Sequence, residues 1–127
     1  MSEAVTEQVR VHVESAYIAA RSNPSESYFF FAYRVTIKNE GKLAVKLLAR
    51  HWIITDGFGK IDHVKGAGVV GEQPLLTQDQ SFSYTSACPL PTPSGHMRGT
   101  YEMLREDGTR FEVDIPAFKL LGNASLH

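Results

Sequence analysis

Phe29, Phe31, Tyr33, Val35 and Ile37 put a large apolar side chain at every second position, while Arg34, Thr36 and Lys38 point the other way. Successive side chains of an extended chain face opposite sides, so this run predicts a core strand and excludes a helix, whose apolar stripe recurs every three to four residues. Two further segments share the period. Val9, Val11 and Val13 alternate with Arg10, His12 and Glu14, and Phe111, Val113 and Ile115 alternate with Glu112 and Asp114. Before the latter stands Glu106-Asp107-Gly108-Thr109. Asp-Gly between alternating strands is a hairpin signal, because a type I′ turn needs positive φ at both central residues.

The other segments extend the pattern. Asn39 to Lys42 turns the chain into Val45 to Thr55, which ends at Asp56-Gly57 and Gly59. A short strand is predicted over Ile61 to Val64, and another over Ser81 to Ser86, with Phe82 and Tyr84 on one face. Pro89, Pro91, Pro93 and Gly95 read as a loop, after which Met97, Tyr101 and Met103 lead to the Asp-Gly turn. Seven to eight short strands at turn spacings of about ten residues, with no convincing amphipathic helix, predict an all-β antiparallel sandwich. The 127 residues suit a single domain over 1–127, with 1–7 and 122–127 expected to fray.

Thirteen Lys plus Arg against fourteen Asp plus Glu leave a formal charge of −1, which offers no overall electrostatic footprint for nucleic acid or an anionic membrane. The longest apolar run, Tyr28 to Tyr33, is too short to span a bilayer, and the acidic N-terminus lacks an apolar signal core. Cys88 is the single cysteine, so no internal disulfide forms; a reducing, cytoplasmic location is expected, with Cys88 a small buried residue. No nucleophile elbow, metalloprotease helix or framed pair of carboxylates is present, and an enzyme is not expected. Ser81, Ser83, Thr85 and Ser86 read mostly as solvent-face strand residues, and Asp107 as a turn residue.

Gly66-Ala-Gly68-Val-Val-Gly71 spells a dinucleotide fingerprint, yet Glu72-Gln73-Pro74 cannot open the helix that such a fingerprint needs. Two readings stay open. The glycines serve a turn or bulge, or Gly66, Gly68 and Gly71, with Lys65 beside them, form an anion nest for pyrophosphate or a nucleotide. Asp62 and Glu72 flank the stretch and oppose the second reading. His12, His51, His63 and His96 are scattered singly, and His51 and Asp56 project to opposite faces of a regular strand, so no metal site and no cofactor are expected. Both faces of Val45 to Thr55 are largely apolar. An outer face of Leu47, Ala49, His51 and Ile53 is then a surface for a protein partner or a homodimer, unless loops or the glycine segment cover it.

Phe31-Ala-Tyr33, Arg50-His51-Trp52-Ile53-Ile54-Thr55-Asp56, Gly66-x-Gly68-Val69-Val70-Gly71-Glu72-Gln73-Pro74, Tyr84-Thr85-Ser86 and Gly99-x-Tyr101-x-Met103 together resemble the bacterial ApaG (CorD) family. The match runs along nearly the whole chain; it departs at Ala87, where glycine is expected, and at Arg21-Ser22, where Gln-Ser is common. The resemblance implies a fibronectin type III-like (immunoglobulin-like) sandwich. It also implies an association with cobalt and magnesium resistance and with a diadenosine tetraphosphate hydrolase neighbourhood. Similar domains in eukaryotic F-box proteins and in a DNA-polymerase-delta-interacting protein look like interaction modules. The expectation is therefore a non-enzymatic interaction module with an unknown protein partner, and pyrophosphate or dinucleoside polyphosphate binding at 66–71 is the alternative.

Overall fold

The structure, a computed structural model, describes residues 2–122. Nine strands follow one another: β1 Ser2–Thr6, β2 Val9–Tyr17, β3 Phe29–Asn39, β4 Val45–Asp56, β5 Ile61–Ala67, β6 Leu75–Leu76, β7 Ser81–Leu90, β8 Ser94–Arg105 and β9 Arg110–Leu121. One antiparallel sheet has the order β1-β2-β3-β7 and the other β5-β4-β8-β9, with the two-residue β6 on β4. The inner faces of the two sheets share one core, which makes the domain a fibronectin type III-like sandwich.

The alternation places the core as expected. Val9, Val11, Val13, Val35 and Ile37 are fully buried, with Phe31 and Tyr33 beside them. Trp52 packs edge-on against Tyr33, Tyr101 and Phe118, and the buried Tyr84 and Tyr101 hydroxyls bond to each other. Burial pushes the pKa of both phenols up, so they stay neutral and serve packing. The Cys88 thiol, also buried, is pushed up to about 11, with Asp62 adding to the effect; it is an inert core group.

Several expectations need correction. The structure pairs most of the N-terminal stretch expected to fray: β1 runs along β2 from Ser2 to Thr6, and Arg10 of β2 bonds Glu3 of β1 at 2.7 Å and Glu40, just past β3, at 2.8 Å. Gly122 is tied by its N–H to the Pro93 carbonyl, while residues 123–127 and Met1 lie outside the described residues. Pro89 is not in a loop. It sits inside β7, an edge strand whose other side needs no amide from it. β5 also runs on to Ala67, beyond the expected Val64.

The four sheet edges differ. β1 and β2 lie along β9, where the Ser15 hydroxyl donates to the Lys119 carbonyl and the Asp114 N–H donates to the Thr6 hydroxyl. That side of the sandwich is laced shut. On the opposite side β7 is interrupted by Pro89, but β5 carries no proline and, among the described residues, pairs only with β4.

Candidate functional site

The glycine segment forms a closed turn. Val69 is fully buried and exchanges two backbone hydrogen bonds with Glu72, 2.8 and 2.9 Å, around Val70 and Gly71. These two residues have φ +42° and +81°, the signs of a type I′ turn. Gly68 has φ +63°, its N–H donates to the Leu48 carbonyl at 2.9 Å, and a Cβ there would lie 2.3 Å from the Glu72 carbonyl oxygen. Only glycine fits. Gly66 lies opposite Arg50, whose guanidinium covers it so closely that a Cβ would meet Nη1 at 2.9 Å. Arg50 Nη1 donates to the carbonyls of Ala67 and Gly68, both at 3.1 Å.

This arrangement leaves little for an anion. The amides of Gly68, Val69 and Glu72 are already donated to protein carbonyls, and Arg50 is occupied by two others. Lys65 pairs with His51 across β4 and projects from the strand face opposite to that of Gly66, so the four sequence candidates do not converge.

A bulge at Leu48 decides the second candidate surface. The β4–β8 register shifts between Leu47 and Ala49, so odd residues face the core before it and even residues after it. Leu47 is therefore buried at 1% exposure and belongs to the core, which corrects its placement on an outer face. Ala49, His51 and Ile53 do share the outer face, but each is half-buried, and Lys65, Thr100, Glu102 and Glu112 line the same surface. It is mixed in character.

That face holds a pair the sequence did not disclose. His51 Nε2 and His63 Nδ1 are 2.8 Å apart, one donating to the other. The pairing of His51 with Lys65 and of Ile53 with His63 makes them diagonal neighbours on one face. Partial burial holds the His51 pKa below the ordinary imidazole range, and Lys65, His63 and Arg98 reinforce this, with Glu112 opposing. Among the described residues, no group of three or more His, Cys, Asp or Glu side chains is arranged to hold a metal ion.

β5 is the most accessible strand of the second sheet; none of its residues is buried. The end bonds, Asp56 N–H to the Lys60 carbonyl and Gly68 N–H to the Leu48 carbonyl, fix the phase of the β4–β5 ladder. Even residues of β5 bond to β4, so the N–H and C=O groups of Ile61, His63, Lys65 and Ala67 point away from the sheet. Exposed apolar side chains gather nearby. Of the nine large hydrophobics exposed among the described residues, five fall within residues 58–75: Phe58, Ile61, Val64, Val70 and Leu75, with Phe58 at 84%. The sequence signal for Phe58 was an aromatic between two glycines at a hairpin tip, where packing cannot be its purpose.

The largest cavity, about 890 Å³, is an open groove near the end of β4, lined by Tyr17, Phe31, Asp56, Gly95, Phe118 and Leu121 among others. Ser2, Ser94 and His96 also line it; the Ser15 hydroxyl donates to the Lys119 carbonyl, and Asp56 Oδ1 accepts from the Phe58 and Lys60 N–H groups.

The family profile DUF525: ApaG domain matches residues 19–105. Protein ApaG of Paramagnetospirillum magneticum is 51% identical over 120 residues, covering 94% of this chain and 92% of its own length. Protein ApaG of Azoarcus sp. is 47% identical over 127 residues, the whole of both chains. A crystal structure assigned to an ApaA protein from Bordetella pertussis superposes with TM-score 0.89 at 48% identity, covering 91% of this chain and 94% of that one.

Proposed function

The chain belongs to the ApaG domain family, and on that premise we propose that it is a non-enzymatic, cytosolic docking module whose β5 edge receives an extended segment of a partner protein. The observation that carries this is the edge itself. Among the described residues, Ile61, His63 and Lys65 offer unpaired backbone N–H and C=O groups beside exposed Phe58, Ile61 and Val64, while the Ala67 carbonyl accepts from Arg50. A strand added there gains main-chain hydrogen bonds for affinity and alternate side-chain contacts for specificity. Proteins usually blunt such edges, and here the other three are laced or interrupted.

The anion-binding alternative draws less support, because three amides of the glycine turn and its neighbouring Arg50 are already engaged. The cation association implied by the family resemblance is then an indirect result of what the domain docks onto.

Photo-crosslinking tests this reading. A benzophenone side chain at Ile61 or His63 is expected to give protein adducts in living bacteria that disappear when Lys65→Pro is added, since proline removes an outward amide without touching the β4 ladder. The same probe on β9 should give none of them. Adducts that persist unchanged in the Lys65→Pro protein would defeat the proposal, and adducts to a second copy would identify the partner as a homodimer mate.

A further inference from the structure

We infer that the segment received by β5 is an extended strand that alternates acidic with apolar side chains. The inference rests on the reading of β5 as a docking edge and goes beyond it by naming the partner's chemistry.

A strand laid along β5 has two rows of side chains. Its outer row runs beside Ile61, His63, Lys65 and Ala67, and its inner row beside Asp62, Val64 and Gly66. The outer row meets positive charge at Lys65, which stands at the edge beside the hydrogen-bonded His51–His63 pair, with Arg98 behind on the same face. The acids on that face, Glu102, Glu112 and Asp114, belong to β8 and β9, at least two strands further in. Carboxylates on the outer row of a partner therefore find cations with no acid between them.

The inner row is different. Val64 is 40% exposed, Asp62 repels a second carboxylate, and the Arg50 guanidinium lying over Gly66 already donates to the Ala67 and Gly68 carbonyls. An apolar side chain opposite Val64 is the complement. At the hairpin end, Ile61 and Phe58 extend this preference to one more apolar contact.

The same charges discriminate against a second copy of this chain. Two β5 strands paired edge to edge about Lys65 would set that ammonium against its own copy, and like charges across strands repel. Lysine at an edge is a usual guard against self-pairing.

The test uses the full-length protein and three fluorescein-labelled eight-residue peptides. Each alternates valine with a second residue, which is glutamate, threonine or lysine. Fluorescence anisotropy gives affinity, and backbone amide shifts give location. The glutamate peptide is expected to bind roughly two- to fivefold more tightly than the threonine peptide at low salt, from one cross-strand charge pair with Lys65, and the gap should shrink in about 0.5 M salt. Lys65→Glu, at an exposed position, should invert the order so that the lysine peptide binds best. Equal binding of all three peptides with shifts at β5 would overturn the charge inference and leave the docking edge standing. No binding at β5 by any peptide would overturn both, as would glutamate-peptide shifts confined to another strand.

Discussion

Val70 is the most uncomfortable residue of the fold. A β-branched side chain at φ +42° is a steric outlier, tolerated here because Val69 and Glu72 close the turn around it. Val70→Asn restores the Asn-Gly pair that such a turn prefers and is expected to raise stability by about 0.5–1 kcal/mol in urea unfolding. Gly68→Ala should do the reverse, costing at least about 2 kcal/mol, because it adds a clash with Glu72 to the positive φ. Gly71→Ala, where a Cβ meets nothing, should cost only about 1 kcal/mol. His51 supplies a pH prediction. Its folded pKa lies below the ordinary value of about 6.5, so between the two values the unfolded chain binds more protons. Stability from this group is complete above about pH 6.5 and declines as the pH falls toward the folded pKa. Lys65→Gln removes a nearby cation and should raise the His51 pKa, read from its ring proton shifts; an unchanged value would break the link. The glycine turn was half legible in the sequence, since its residues named a turn or a nest but not where its amides were spent. The histidine pair was not legible, because diagonal contact depends on a hairpin register that spacing alone does not fix.

The stretches with one strict alternation, Val9–Val13 of β2, Phe29–Ile37 of β3 and Phe111–Ile115 of β9, were plain in the sequence because a single dry face leaves no ambiguity of phase; past Pro116 the buried parity of β9 switches to Phe118 and Leu120. β4 was not. Its apolar residues fill both parities, and the bulge at Leu48 switches which parity is buried, so Leu47 was assigned to the wrong face. The switch can be tested with one charge at two sites. Leu47→Lys places an unpaired ammonium in the core and is expected to unfold the domain or cost more than about 4 kcal/mol. Ile53→Lys, on the half-buried outer face, should stay within about 1 kcal/mol by the same urea measurement. Equal losses would mean that the bulge is misplaced. β1 escaped notice because Ser2-Glu-Ala-Val-Thr6 has little apolar contrast; cross-strand pairing and the Arg10 ion pairs hold it. Pro89 read as part of a loop, yet it sits in an edge strand; Pro116 likewise stands in an edge strand, within the irregular stretch of the β8–β9 register.

For the molecule as a whole, the asymmetry of its edges matters most. The sandwich is closed along β1, β2 and β9 by side-chain bonds between sheets, blocked by proline along β7, and open along β5. Five of the nine exposed large hydrophobics among the described residues lie on the open side, and Lys65 lies next to them, with Arg98 further in on the same face. An architecture of this kind suits strand capture better than chemistry on a small molecule, whose polar groups would need to converge on a pocket. Amide hydrogen exchange at single-residue resolution tests this directly, on the free protein and with whichever of the three strand peptides binds. In the free protein the amides of Asp62, Val64 and Gly66 should exchange slowly and those of His63, Lys65 and Ala67 quickly, and the peptide should slow the second group alone. Fast exchange of the second group that persists in the bound state, or new protection along β1, β7 or β9 instead, would contradict docking at the β5 edge.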